Sequence, residues 1–383
     1  MNNKPDVPAA PLPFIDLAAQ RKRLGKSVDE AILRVLDHGQ YIMGPEVAAL
    51  ENELAKFCGA KHVLSCGNGT MAIELILRAK GVGPGDAVLC PSFTFAATAE
   101  VVALVGGTPV FVDVLADTFN IDPNHLDAGI AAARQANLKP VGIIAVDLFG
   151  QPADYEAIEA FCRAKNLWLL DDAAQSFGAH YRGRAVGTIG LATATSFFPA
   201  KPLGCYGDGG AIFTDDSGLA DILRSLRIHG QGSDKYDAER IGQNGRLDSI
   251  QAAVLLEKLK IFSDEISRRD AVAKRYNDGL KSVAEVPDLA PNCTSVWAQY
   301  TIKVPAAKRS TLANALRSQG IPTAIYYPKP LHRQIAYRGF PAAGNGLPVT
   351  DAIAQQVISL PMHPYLDAPT QDRIIDAVVA ALR

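Results

Sequence analysis

The chain has 383 residues, 48% of them hydrophobic and 20% charged, with 38 basic against 40 acidic side chains and a formal net charge of −2. That length allows one large and one smaller domain, and the composition excludes a disordered chain. No basic field is available to hold nucleic acid by its phosphates, and no apolar run reaches the roughly 18 residues that a membrane helix requires.

Residues 1–13 hold four prolines and lack the apolar core of a signal peptide. They are expected to form a flexible tail, and the protein is expected in the cytoplasm, away from membranes. Six cysteines, at 58, 66, 90, 162, 205 and 293, form no Cys-x-x-Cys pair. Free, mostly buried thiols are expected, and the histidines show no zinc-ligand spacing, so no metal is expected.

From about residue 60 strand and helix alternate. His62–Cys66 predicts the first strand, followed by the turn Gly67-Asn68-Gly69-Thr70 and a helix over Met71–Lys80. A helix N-terminus offers free N–H groups and a positive dipole end to a phosphate, and Thr70 can add its hydroxyl. The same residues fit Gly67-x-Gly69-x-x-Ala72, a dinucleotide pattern, or a plain tight turn. The dinucleotide reading wants an acid at the end of the second strand, but Ala87–Pro91 runs into Ser92 with none.

Next comes Phe93-Thr94-Phe95 at the handover to a helix over Ala96–Val105. A ring there can stack on a planar cofactor, or can be ordinary core. Pro109–Val112 and Val141–Val146 predict further strands, and Tyr155–Lys165 a helix. Leu167–Leu170 predicts a strand closed by Asp171-Asp172, two neighbours whose side chains point to opposite faces. One carboxylate can face the crevice at the strand ends where open α/β sheets bind ligands; capping a helix would also suit an aspartate. Gln175 follows three residues on.

Thr193–Phe197 predicts a strand with Ser196 near its end, then Pro199-Ala200-Lys201-Pro202-Leu203-Gly204. Ser196 can donate to a phosphate. A lysine among aromatic, small and glycine residues is an odd residue to bury; desolvation leaves a neutral, nucleophilic amine. An amine in reach of a strand-end carboxylate suggests pyridoxal phosphate (PLP). Ala211–Thr214 predicts the seventh strand. These short, continuous apolar runs predict a mainly parallel sheet with helices on both faces.

Asn244 and Arg246 precede a long helical stretch around residues 246–275, and they either bind anions or merely start that helix. Beyond it, Tyr300–Val304 predicts a strand, Ala307–Gln319 a helix and Thr370–Leu382 a closing helix. The organisation expected is a tail over 1–13, a large domain over 14–264 and a small C-terminal domain over 265–383.

Taken together, these sites resemble the DegT/DnrJ/StrS family of sugar aminotransferases. The likeness runs from about Phe14 to the last helix. It rests also on Tyr41-Ile42-Met43-Gly44-Pro45, Gly81-Val82-Gly83-Pro84-Gly85-Asp86, Asp172-Ala173-Ala174-Gln175-Ser176 and Tyr327-Pro328-Lys329-Pro330-Leu331-His332. The resemblance implies a fold type I PLP-dependent transferase: an α/β large domain around a seven-stranded sheet, a small α+β domain, and a homodimer with a shared active site. It implies that Lys201 binds PLP covalently and shuttles the proton, and that Asp172 pairs with the pyridine nitrogen. Gln175 would contact the ring oxygen and Phe95 would stack on the ring. Gly69, Thr70 and Ser196 would hold the phosphate, with Asn244 reaching it from the neighbouring subunit.

Arg246 is the candidate for the amino donor's carboxylate, which a bidentate fork suits. Tyr326, Tyr327 and His332 are candidates on the sugar side. Family members with histidine in place of the lysine are dehydratases; Lys201 argues for transamination from L-glutamate to a nucleotide-linked keto-sugar. Within the family the chain resembles the UDP-2-acetamido-2-deoxy-hexuluronate 3-aminotransferases of O-antigen and lipopolysaccharide synthesis. Amination of a dTDP-linked keto-hexose at C3 or C4, and a non-catalytic PLP-binding regulator, are the alternatives. Tyr326 and Gly245 depart from the family pattern.

Overall fold

The computed structural model describes residues 12–234 and 236–383, so most of the expected N-terminal tail lies outside the described residues. Its last part is seated: the Leu12 N–H donates to Gly320 O at 3.4 Å, and just after the tail Phe14 O accepts from Met362 N.

Eleven strands occur among the described residues. They are β1 (His62–Cys66), β2 (Asp86–Pro91), β3 (Thr108–Val112), β4 (Lys139–Val146), β5 (Trp168–Asp172), β6 (His180–Tyr181), β7 (Arg184–Ala185), β8 (Ala192–Ser196), β9 (Gly210–Thr214), β10 (Tyr300–Lys303) and β11 (Val357–Leu360). Seven build the main sheet in the order β1-β9-β8-β5-β4-β2-β3. Only β9 runs against its neighbours. The seven predicted strands thus form one mainly parallel sheet, with boundaries within a few residues of expectation.

Residues alternate between two cores along each strand. In β2, Val88 and Cys90 face one core with Phe111 and Ile144. Ala87 and Leu89 face the other with Val110, Val112 and Ile143. Burial on both faces is why the strands read as unbroken apolar runs. Helices over Gly69–Ala79, Ala97–Leu104, Leu126–Gln135 and Tyr155–Lys165 carry the chain between β1 and β5. Each parallel strand therefore ends on the same edge of the sheet, where Cys66, Val146, Asp172 and Ser196 come together.

The helix over Ser249–Leu280 runs 32 residues. Its first half gives Ala252, Leu255 and Phe262 to a core beside β1 and β9. Its second half gives Val272, Tyr276 and Leu280 to a separate core with Tyr300, Ile302, Leu312, Ile358 and Ile374. Tyr276 and Tyr300 stack there with centroids 4.7 Å apart. The C-terminal segment does not stay in that second core: Leu331, Ala343, Leu347, Ile353 and Val357 return to pack on the main sheet.

Gly142 on β4 sits directly beside Trp168 on β5, and a Cβ at Gly142 would stand 2.1 Å from that indole. Gly142→Ala is expected to lower unfolding stability by about 1–3 kcal/mol through overpacking. Urea unfolding followed by tryptophan fluorescence measures it; unchanged stability would show that the indole has room to move.

Candidate active site

A cavity of about 500 Å³ opens at the shared C-terminal edge of the parallel strands. Gly69, Thr70, Phe95, Asp172, Gln175, Ser196, Lys201, Tyr326 and Tyr327 all line it. The fold thus gathers residues spread over 259 positions of sequence into one crevice, at the place where open α/β sheets bind ligands.

The floor is built where β1 turns into its helix. Asn68 Oδ1 accepts the Met71 N–H at 2.8 Å, making Asn68 the N-cap. The first N–H groups of a helix have no intrahelical partners, so Gly69 and Thr70 present a positive dipole end to the cavity. A Cβ on Gly69 would stand 2.7 Å from Ser196 Cβ. Glycine is required there because the end of β8 comes so close.

Asp172 and Asp171 end β5 on opposite faces, and no helix follows them. Asp172 faces the cavity, accepting from Thr98 Oγ1 at 3.2 Å and from the Ala174 N–H at 3.2 Å. Burial pushes its carboxyl above the usual range, against the pull of the Ala174 N–H, Lys201 and Thr98. The turn after β5 brings Gln175 to the wall. Its Oε1 accepts the Phe149 N–H at 2.8 Å, and its Nε2 donates to Tyr327 Oη at 3.3 Å. The side chain is thereby fixed before any ligand arrives.

Lys201 hangs from a loop closed by hydrogen bonds from Phe197 N to Gly209 O (2.7 Å) and from Cys205 N to Phe197 O (2.8 Å). Under that loop, fully buried Lys258 donates to Gly204 O at 2.6 Å, its ammonium 4.3 Å from the Tyr206 ring centroid. Burial lowers the Lys201 amine to about 8, and Asp172 pulls the other way. Phe95 stays 58% exposed at the mouth, its ring 6.3 Å from that of Tyr327.

Three observations fit PLP. They are an amine of weakened basicity, a carboxylate in electrostatic reach of it, and a helix start whose glycine leaves no room for a side chain. A dinucleotide has no such support: β2 ends without an acid, and β9, not β2, lies beside β1.

Three expected site residues do not line this cavity. His332 is turned away. Its Nδ1 meets Ser92 Oγ at 2.7 Å and its Nε2 lies 3.2 Å from Asp351 Oδ1, so it pins its own segment to the end of β2. Asn244 is exposed, and Arg246 is half-buried with no protein partner for Nε. Gly245 lies between them and bonds Gly67 N through its carbonyl at 3.2 Å, beside the end of β1. Conversely, Ile15 and Gln299 line the cavity without any signal in their local sequence. Asn68 did carry one, as an N-cap residue before an apolar helix. All six cysteines are free, five of them buried, and no cluster of metal-ligating side chains occurs among the described residues.

A profile of the DegT/DnrJ/EryC1/StrS aminotransferase family matches residues 22–379. The UDP-2-acetamido-2-deoxy-3-oxo-D-glucuronate aminotransferase of Pseudomonas aeruginosa is 48% identical over 370 residues, covering 96% of this chain and 99% of that one. The dTDP-3-amino-3,4,6-trideoxy-alpha-D-glucose transaminase of Streptomyces venezuelae is 39% identical over 380 residues, 99% of this chain and 97% of that one. Among solved structures, a DegT DnrJ EryC1 StrS aminotransferase from Brucella abortus superposes with a TM-score of 0.95 at 51% identity, covering 97% of this chain and 99% of that one.

Only the neutral amine of Lys201 can attack an aldehyde, and it loses its proton as pH rises through about 8. The rate at which cofactor-free protein captures PLP, read from its visible absorption, is expected to climb through that pH and level off above it. A rate that is flat across the range would contradict the weakened basicity.

Proposed function

Since the chain belongs to the DegT/DnrJ/EryC1/StrS aminotransferase family and is a PLP-dependent sugar aminotransferase, we propose that it carries an amino group from L-glutamate to C3 of a UDP-linked 2-acetamido-2-deoxy-3-keto-hexuluronate. The observation that carries this substrate is the 48% identity, over nearly the full length of both chains, to an aminotransferase of that sugar class. The route it would serve is the making of O-antigen and lipopolysaccharide sugars, in the cytoplasm.

Bound PLP supplies an electron sink for the carbon that carries the amine. The protein's own part is proton handling and positioning. Lys201 would hold the cofactor through Nζ and move the proton as general base and acid. Asp172 would be the anionic partner of the pyridine nitrogen, and Gln175 would stand by the ring oxygen. Phe95 would cover the ring, and Gly69, Thr70 and Ser196 would hold the phosphate. Tyr326 and Tyr327 would close the sugar side; His332 ties the segment downstream of them to Ser92.

Asn244 would complete the phosphate site of a partner subunit in a homodimer. Its exposure away from its own cavity supports this. So does the exposed apolar group of Leu33, Leu36, Tyr41, Ile42 and Met43 beside the start of the 249–280 helix. A division of each subunit near residue 264 is supported by the two cores that this helix serves.

The test is a pair of half-reactions. L-glutamate is expected to remove the visible band and release 2-oxoglutarate, and a keto-sugar then to restore it. A UDP-linked 3-oxo-uronate is expected to exceed a dTDP-linked keto-hexose in kcat/KM by at least about tenfold, or about 1.4 kcal/mol. A reversed order would assign the enzyme to the dTDP sugars, and a band that no amino donor changes would leave a PLP-binding regulator.

Arg246 lies outside the lining of this cavity and keeps a buried guanidinium nitrogen, Nε, without a protein partner. Arg246→Ala is expected to raise KM for glutamate about 10- to 100-fold, the loss of a charge-assisted hydrogen bond, with PLP binding unchanged. An unaltered KM would remove it from the donor site.

A further inference from the structure

Behind the cavity, on the far face of β5, lies a buried chain of polar side chains that ligand binding does not use. Tyr155 Oη lies 2.6 Å from Asp147 Oδ1 and 2.7 Å from Asp171 Oδ1. Thr193 Oγ1 lies 3.0 Å from Asp171 Oδ2. All four residues are buried.

Each of these three short contacts needs a proton between its oxygens. Tyr155 and Thr193 supply one apiece. With both carboxyls ionised one contact would be left without a proton, two lone pairs facing each other at hydrogen-bond distance. A third proton must therefore be stored on a carboxyl.

Its place follows from the neighbours. Asp147 accepts from the Ala153 N–H (2.8 Å), from Tyr155 and from Ser176 Oγ (2.8 Å), the surroundings of an anion. Asp171 has only Tyr155 and Thr193. A carboxylic acid at Asp171 donates to Tyr155, which donates to Asp147, while Thr193 donates to the remaining Asp171 oxygen; every contact is then satisfied.

We propose that Asp171 is a neutral carboxylic acid at physiological pH, and that its neutrality keeps Asp172, the next residue on β5, ionised towards the cavity. The second clause rests on Asp172 being the cofactor's partner; the first does not. Three ionised carboxyls at the ends of β4 and β5 would repel one another, and Asp172 would answer by taking up a proton. Asp171 is thus a positioning residue that acts through its neighbour.

Other charges near this chain have their own partners. Arg184 is held by both oxygens of Glu159 at 2.9 Å, Asp154 accepts from Tyr181 at 2.7 Å, and the Lys201 charge acts on Asp172. The Cys293 thiol also feels Asp147. Burial raises Asp171 well above the carboxylate range and Asp147 to about 7, in line with a stored proton.

The test compares wild-type holoenzyme with Asp171→Asn, whose amide can donate to Tyr155 and accept from Thr193 as the neutral acid does. At about pH 8, far above the ordinary carboxyl value of about 3.9, the infrared difference spectrum is expected to show one protonated-carboxyl carbonyl band lost in the variant. Because a neutral group replaces a neutral group, the pH midpoint of PLP capture is expected to stay at about 8.

A missing carbonyl difference would overturn the proposal, as would failure of the variant to fold or bind PLP. So would a capture midpoint moved to lower pH, the signature of a removed negative charge. A protein that passes all three and still takes no amine from glutamate would refute the aminotransferase reading and leave the neutral acid standing.

Discussion

An amine taken out of water beside a single carboxylate holds its proton weakly, and the layout around Lys201 maintains that condition. Burial pulls the amine down to about 8 while Asp172 draws it back up. Neither influence persists unless the loop stays packed and dry. Hydrogen bonds between Phe197, Cys205 and Gly209 close the loop. Lys258 supports it from below with its own buried ammonium, also lowered by burial to about 8. Two desolvated lysines within one small region are costly. Lys201 has the charge of Asp172 within electrostatic reach, and Lys258 has a backbone carbonyl and an aromatic face.

β5 connects this electrostatics to the sheet. Its last two residues are aspartates pointing to opposite faces, so one strand end serves two networks. On the cavity side, Asp172 is set by Thr98 and the Ala174 N–H. On the other, Asp171 joins Tyr155, Asp147 and Thr193. The strand cannot shift in register without breaking both sets, which fixes where Asp172 meets the cavity more firmly than either set alone.

Much of this was legible in the sequence because it rests on local rules. Apolar runs bounded by glycine and proline marked the seven sheet strands. Residues at the strand ends fell together, because parallel strands share one C-terminal edge. Lys201, Asp172, Gln175, Phe95 and Ser196 therefore meet in one cavity although none is a sequence neighbour of all the others. β6 and β7, two residues each, are too short to leave a pattern. β11 follows a helix without a break, so Val357-Ile358-Ser359-Leu360 reads as that helix's continuation. Ile15 and Gln299 reach the cavity through tertiary packing alone. His332 looked like a cavity residue from its place after Tyr327, but its contacts with Asp351 and Ser92 turn it the other way.

The stitching of Ser92 to the 330–332 segment carries a further consequence. The Leu331 N–H donates to Ser92 O at 3.0 Å, and the His332 N–H to Ser92 Oγ at 3.1 Å. The stretch bearing Tyr326 and Tyr327 is thus moored to the sheet a few residues downstream of the two rings. The wall they form can change in composition while its anchor, and the bed beneath it, keep their shape. Diversification is channelled accordingly. Mutations at position 326 fall on a partition hung from a fixed point, whereas those in the floor at 69 or 196 disturb the scaffold itself. With the sugar-side and phosphate roles proposed above, such an enzyme could acquire a new sugar preference in small heritable steps without first losing its cofactor.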